Sequence, residues 1–435
     1  MSAPETTGLP VRGTPPVPSR RPGTRPRGPV RRPEAATALR CVGGLLLAVL
    51  AWLFGELGDT TTRNLLGGAV LLLLPVDVLP AIVIVTVRDG SPTLGVLSPS
   101  DIVALVYLGR LALSPRLFAV RLTASRAALV LFLLWAVFVT VNGFGLMTAL
   151  SRIAVYAAVG VAMTYRARGD AWLRAAVIGL SLTEILLYLP QVPERLRGFV
   201  IDDPSHAGTL FLAALIVVGV ARMPGGVKAL LSVLLLFGIA MTFTRAVWFA
   251  TGVVALVALL PRRWYVPLLA PPLVALAAMP LLPAVTALFH LSRASGSLRE
   301  RSMLIGWEEF MERPLTGHGW AFSSGAKETG LIGVDTTSIY NLWVYLGACT
   351  GLVGVALFLV YVALLGRAAV PGTVPYLFLT AVLAMSLTEM HLYGVSLVAV
   401  LFFTMTSTCG KAPATDSPAV PVSPGRRTGR GYCRR

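Results

Sequence analysis

Charge is scarce in this chain. Only 13% of its 435 residues are charged against 55% hydrophobic, and the mean hydropathy is +0.76. So little charge cannot cover the surface of a soluble multi-domain protein, and that class is excluded. Cysteine is nearly absent: Cys41, Cys349, Cys409 and Cys433 share no metal-type spacing and fall in apolar runs or the tail, which argues against a disulfide framework and against zinc. The chain also lacks a phosphate-cradling glycine loop, an Asp-x-Asp pair, His-Glu-x-x-His and Gly-x-Ser-x-Gly. A soluble-type nucleotide-sugar transferase, metalloprotease or hydrolase has no machinery here, so any catalysis is expected to run without metal or cofactor. No inverted internal repeat of the kind common in secondary transporters is visible.

What the chain has in quantity is apolar sequence long enough to cross about 30 Å of hydrocarbon. Spans are expected at 41–57, 64–87, 126–143, 147–165, 172–190, 207–221, 228–243, 246–260, 264–289, 340–365, 374–387 and 392–408. The expected fold class is all-α, a polytopic transmembrane helical bundle of about twelve spans. The number rises to about fourteen if the short run 101–113 crosses and Pro75 and Pro80 divide 64–87 in two. The first run follows a basic region without a small-x-small cleavage site and reads as a retained start-transfer helix. The expected organisation is a basic tail (1–40), a transmembrane bundle (41–289), a long extracytoplasmic loop (290–339), C-terminal transmembrane helices (340–408) and a second basic tail (409–435). Both tails are rich in Pro and Arg and poor in large apolar residues, so disorder is expected.

The net charge is +17, yet 14 of the 37 lysines and arginines lie in the tails, eight before residue 41 and six from Lys411 onward. Much of the rest sits in short loops, including "RLALSPRLFAVRLTASR", "YRARGDAWLR", "ARMPGGVK" and "PRRW". Lys and Arg resist translocation, so these loops and both termini are expected on the cytoplasmic side of the cytoplasmic membrane, with 290–339 outside. No aromatic-interleaved basic patch accompanies the charge, and nucleic acid is not an expected partner; the lipid bilayer is. In the outer loop, "LRERSMLIGWEEFMER" is expected to be helical, ended by Pro314 and the glycines of "PLTGHGW".

Ionisable residues in or beside spans are costly, and on this map they gather at the outer mouth: Arg152, Glu184, His206, Arg245, Glu389 and His391, joined by Arg299, Arg301, His318, Tyr340 and Asn341 of the loop. A cavity lined by guanidinium groups suits an anion, since their planar donors match phosphate oxygens and stay charged. Plainer readings stand beside this one. Arg245 and Arg152 also fit arginines that snorkel to the headgroups, Glu184 a residue pairing helices inside the bundle, and His318 a structural turn residue.

Three stretches read together in order: "FTRAVWF" (243–249), "LRERSMLIGWEEFMERPLTGHGW" (298–320) and "YNLWVYLGACTGLVG" (340–354). They resemble, respectively, Ser-Arg-x-x-Trp opening a span, an Arg-rich helix followed by Pro-Leu-x-Gly-x-Gly, and the His-Asn-x-Tyr-Leu…Gly-x-x-Gly start of the next span. The set, with "SLTEMHLYG" further on, resembles the O-antigen ligase and polymerase superfamily over about 238–408; before that only hydropathy matches. The resemblance implies a membrane-embedded glycosyltransferase. It would take a glycan from a polyprenyl-diphosphate carrier and transfer it, without metal or nucleotide sugar, to a hydroxyl of a glycan or lipid acceptor outside the cytoplasmic membrane. By the same resemblance Arg245 and one or both of Arg299 and Arg301 would bind the diphosphate and Asn341 would help position donor or acceptor; Arg152, from its place at the outer mouth alone, is a further diphosphate-binding candidate. One residue departs from the pattern: the family histidine preceding the asparagine, its general base, is here Tyr340. Tyrosine, with an ordinary pKa of about 10, is a poor base. Tyr340, His318, Asp335 and His391 remain the catalytic candidates. Two other classes stay open, a transporter or flippase of lipid-linked glycans and a non-catalytic subunit of a polysaccharide assembly system.

Overall fold

The computed structural model describes residues 60–87, 98–113, 122–143, 145–164, 167–196, 203–261, 263–281, 293–321, 339–389 and 397–407. Among these residues the fold is entirely helical and contains no strand. That is the expected class, because a backbone surrounded by lipid must satisfy its own N–H and C=O groups. The expected first span and both tails lie outside the described residues.

The chain begins with α1 (Thr60–Leu73) and α2 (Leu79–Val85), so the apolar run carrying Pro75 and Pro80 is broken into two helices. Arg110 fills the break, donating through Nη1 to the Leu71 carbonyl at 3.0 Å and the Leu74 carbonyl at 2.6 Å. These are carbonyls that an ending helix leaves without intrahelical donors. Arg110 belongs to α3 (Pro99–Ala112), whose start is a full capping box between Ser98 and Asp101. Then follow α4 (Ala124–Asn142), α5 (Met147–Met163), α6 (Ala167–Tyr188), α7 (Pro204–Val220), α8 (Gly225–Met241), α9 (Arg245–Leu259) and α10 (Val266–Ala278). The helix expected in the outer loop is α11 (Arg293–Glu312), and α12 (Leu342–Ala368), α13 (Val374–Met385) and α14 (Leu397–Thr406) complete the described fold.

Among the described residues three stretches, Ala124–Asn142, Asp170–Gln191 and Leu342–Ala368, are long and apolar enough to cross a membrane. Seven further helices are apolar but have 10–17 residues; at 1.5 Å per residue the longest of these rise about 25 Å, a little less than the hydrocarbon thickness. The closest partners are α4 with α12 and α9 with α13, and α7 packs on α8, α9 and α13. Their contacts merge into a single buried cluster.

The segment that follows α11 enters this cluster. Trp320 is fully buried, its ring 5.7 Å from Tyr345 and 6.2 Å from Phe132. Its backbone is held on two sides: the Thr140 hydroxyl accepts from Trp320 N–H at 2.9 Å, and Leu146 N–H donates to the Trp320 carbonyl at 2.7 Å. Glycine makes the approach possible. Gly351 interrupts α12 with φ 65° and ψ −174°, a conformation open essentially to glycine alone. Its missing side chain leaves room for the Leu315 backbone, and Leu352 N–H donates to the Pro314 carbonyl at 2.7 Å.

Gly351→Ala should therefore lower the thermal melting point of detergent-solubilised protein by several degrees, since backbone strain of about 1–3 kcal/mol adds to the overlap with Leu315. Gly252→Ala, on a helix face with open space around it, should leave it unchanged.

Candidate active site

Backbone bonds gather several turns at one end of the bundle. Leu196 N–H donates to Met241 C=O at 2.9 Å, joining the segment after α6 to the end of α8; Leu342 N–H donates to Ser386 C=O at 3.0 Å, joining the start of α12 to the end of α13. This is the end that the charge pattern assigns to the outside.

Here α11 sets an arginine against the other elements. Residues 299, 302, 306 and 310 recur at helical spacing, and this face is turned inward. Ser302 is buried, Gly306 lies against Ile339 and Val344, and the Phe310 ring meets Gly347. Arg299 shares that face. Its Nη2 lies 2.7 Å from Glu389 Oε1, its Nη1 donates to the Thr388 carbonyl at 3.1 Å, and its Cζ sits 4.9 Å from the centre of the Tyr340 ring. The last contact is a cation–π arrangement. Tyr340 is fixed in turn, its N–H donating to Ser302 Oγ at 3.2 Å. Arg301, two residues along the helix and so on its far side, is exposed.

Asn341 begins α12. Its Oδ1 accepts from the N–H groups of Trp343 and Val344 at 2.9 and 3.1 Å, and its Nδ2 donates to the Leu387 carbonyl at 2.8 Å. An asparagine amide offers two N–H donors, so at most one is left for a ligand. The residue thus shapes the site chiefly by tying α12 to the end of α13.

Two carboxylates of this region are driven in opposite directions. Glu389 is buried, with 6% of its surface exposed. Burial raises its pKa above the ordinary carboxylate value, the Arg299 charge and hydrogen bond oppose that rise, and the net direction is upward. Asp203 caps α7, accepting from Ser205 and His206 N–H at 2.7 and 3.1 Å. Burial pushes its pKa up as well, but the His206 charge and those backbone bonds outweigh it and hold the value below the ordinary one.

Arg245 is the first residue of α9 and half-buried. The turn before it includes Phe243 in a left-handed conformation, φ 49°. A second guanidinium braces that turn: Arg195 Nε donates to the Thr242 carbonyl at 2.8 Å and its Nη2 lies 3.5 Å from Thr244 Oγ1. Sequence reasoning passed over Arg195, Asp203 and the role of Glu389. The available signal for Arg195 was a basic residue in "QVPERLRGFV", a segment that the charge map puts outside.

Other candidates are placed elsewhere. Arg152 pairs with Asp101 across α5 and α3, Nε to Oδ2 at 3.2 Å, and the Tyr156 hydroxyl donates to Asp101 Oδ1 at 3.0 Å. His318 lies at the other end of α11. Its ring Nε2 is 2.9 Å from the Glu309 carbonyl, 3.4 Å from the Glu309 carboxylate and 3.8 Å from that of Glu312. Its backbone N–H donates to Ala348 C=O at 2.8 Å. Ten residues of helix separate Glu309 from Arg299, about 15 Å of rise, so His318 serves the docking of the loop. Glu309, Glu312 and His318 each bring one ligand atom to within 4.8 Å of the others, an arrangement able to hold a cation, although His318 Nε2 is already turned to a carbonyl. Burial raises the pKa of Glu309, which the His318 charge opposes. Asp335 and His391 lie outside the described residues.

Breaking a buried ion pair from one side costs about 3–5 kcal/mol, and with Arg152 23% exposed the lower end applies. Asp101→Ala and Arg152→Ala should each lower the melting point, and the double variant should lose clearly less than the sum, as a double-mutant cycle on the purified protein would show.

Residues 230–359 match a family model described as O-antigen ligase. The match runs from within α8 through most of α12, so it takes in Arg245, Arg299, Arg301, His318, Tyr340 and Asn341; Glu389 and "SLTEMHLYG" lie beyond it. No curated protein matches the chain. The apolar helices mark a membrane protein, and residues 230–359 make that part of the chain similar to the O-antigen ligase family.

Proposed function

We propose that this chain, whose residues 230–359 match the O-antigen ligase family model, is a glycosyltransferase of that family. It moves a glycan from a polyprenyl-diphosphate carrier to an acceptor hydroxyl at the outer face of the cytoplasmic membrane, in polysaccharide biosynthesis. One observation carries the reading: within and beside the matched region, Arg299, Tyr340 and Glu389 meet at the end of the bundle where Arg245 starts α9. A site of this kind needs fixed positive charge for the leaving group and a proton acceptor for the attacking hydroxyl.

The leaving group is a lipid diphosphate, and the bond that breaks joins the anomeric carbon to its bridging oxygen. Negative charge grows on that oxygen as the bond lengthens. Guanidinium groups already in place stabilise it, because they need no reorganisation as the reaction proceeds. Arg299 and Arg245 fill this role. Arg195 keeps the turn before Arg245 in position and adds its own charge nearby. The expected topology, with both termini inside and α11 outside, delivers the donor from the outer leaflet.

A transporter or flippase would favour charged residues near the bilayer midplane on interrupted helices. The Arg299 cluster lies instead among helix ends and connecting segments.

The test is transfer of oligosaccharide from a synthetic polyprenyl-diphosphate donor by the purified protein in proteoliposomes, followed by gel or mass-spectrometric detection of the elongated or transferred glycan. Arg245→Ala and Arg299→Ala should each reduce turnover by about 10²- to 10³-fold, while Arg301→Ala stays within a few-fold. Full turnover by Arg245→Ala would remove the diphosphate clamp from the reading.

A further inference from the structure

We infer that Glu389 is the general base that accepts the proton of the acceptor hydroxyl, in the role that the motif gives to a histidine at position 340. The inference rests on the proposed transferase function and adds a catalytic residue to it.

An attacking hydroxyl needs a proton acceptor within hydrogen-bond reach, in its basic form and near the arginines that hold the leaving group. Position 340 does not supply one. Tyr340 is a poor base, and its ring is occupied as the platform under Arg299. His318 is engaged with Glu309 at the other end of α11. Asp203 is spent on the cap of α7, and its surroundings favour the charged carboxylate, which weakens it as a base. Glu389 differs in that its partner is Arg299, the arginine assigned to the leaving group. It touches the same guanidinium that lies over Tyr340, so it borders the same cation as the position the motif reserves for the histidine. It is carried by the segment after α13, which Asn341 and Leu342 tie to the start of α12. The charged groups that act on it are Arg299, Asp203 and His206. Its raised pKa brings it closer to the value that suits a base near neutrality, and two neighbouring carboxylates with pKa values pushed apart are a recurrent sign of divided roles.

The arrangement also supplies an order of events. Before the donor arrives, Arg299 neutralises Glu389. A diphosphate that draws the guanidinium toward itself leaves the carboxylate without its counter-charge, in a buried place, where its affinity for a proton rises. The acceptor hydroxyl then gives its proton to Glu389 as its oxygen bonds to the anomeric carbon. The bond from that carbon to the diphosphate oxygen breaks, and its electron pair leaves with the polyprenyl diphosphate. The proton on Glu389 passes to water afterwards.

The experiment measures transfer from the polyprenyl-diphosphate oligosaccharide donor by the unaltered protein, Glu389→Gln, Tyr340→His and the double variant, with melting points recorded for each. Glu389→Gln is expected to lower kcat by about 10²- to 10⁴-fold with the donor KM within a few-fold. Tyr340→His in the Glu389→Gln background is expected to recover at least about tenfold, as an imidazole regains the family position. Unchanged kcat in Glu389→Gln overturns the assignment. So does a loss that Tyr340→His fails to recover in a protein of unchanged melting point, which would make Glu389 an anchor for Arg299 only. If Glu389→Gln does not fold, Glu389→Asp decides: it keeps the charge opposite Arg299 but withdraws the oxygens by a methylene. A base then loses about tenfold or more in kcat and an anchor loses little. No transfer by the unaltered protein overturns the function on which the inference rests, whereas transfer that survives Glu389→Gln overturns the base alone.

Discussion

In hydrocarbon no water is at hand to receive a polar group that the protein leaves unpaired. Much of the described architecture answers to that constraint. Where α1 stops, its carbonyls take Arg110 from α3. Where α12 breaks at Gly351, the carbonyls of Ala348 and Cys349 take the N–H groups of His318 and Gly319, and Leu352 N–H finds Pro314. The Trp135 indole closes the set by donating to the Thr350 carbonyl at 2.8 Å. The break in α12 is thus the socket of the loop that follows α11. Docking the loop there fixes α11, and α11 in turn carries Arg299 to Glu389.

The same constraint explains which parts of the protein were legible beforehand. Long apolar runs and their breakers are local, so most helices could be read from composition and from residues such as Pro75 and Pro314. The division at Pro75 was legible for the same reason. The partners of buried charges were not. Arg299 meets Glu389 across ninety sequence positions, and Arg152 meets Asp101 through the packing of α5 on α3. Sequence alone offered Arg299 and Arg301 as equals, because a helix is symmetrical until something packs on one face. Ser302, Gly306 and Phe310 decide that face. The three motifs marked the right region, as the match over 230–359 bears out, but a motif says which residues recur and not what their neighbours are.

The two ion pairs also differ in what they do. Asp101 is 3% exposed and belongs at once to a capping box, to Arg152 and to the Tyr156 hydroxyl. Each of its oxygens has a partner, and such a pair holds two helices together. The Arg299 side chain is 37% exposed against 8% for Glu389. With Arg299 more exposed than Arg152, its attraction to the carboxylate is more strongly screened, so stability is a weaker reason for this pair than for the other. Keeping a carboxylate buried while its counter-ion can reach outward makes more sense as a device for exchanging partners. The arginine can turn to an arriving anion, and the buried carboxylate it leaves behind gains in basicity through the same movement. Under the proposed function, the asymmetric pair would couple donor arrival to acceptor activation, a coupling that a more deeply buried pair like Asp101 and Arg152 would resist.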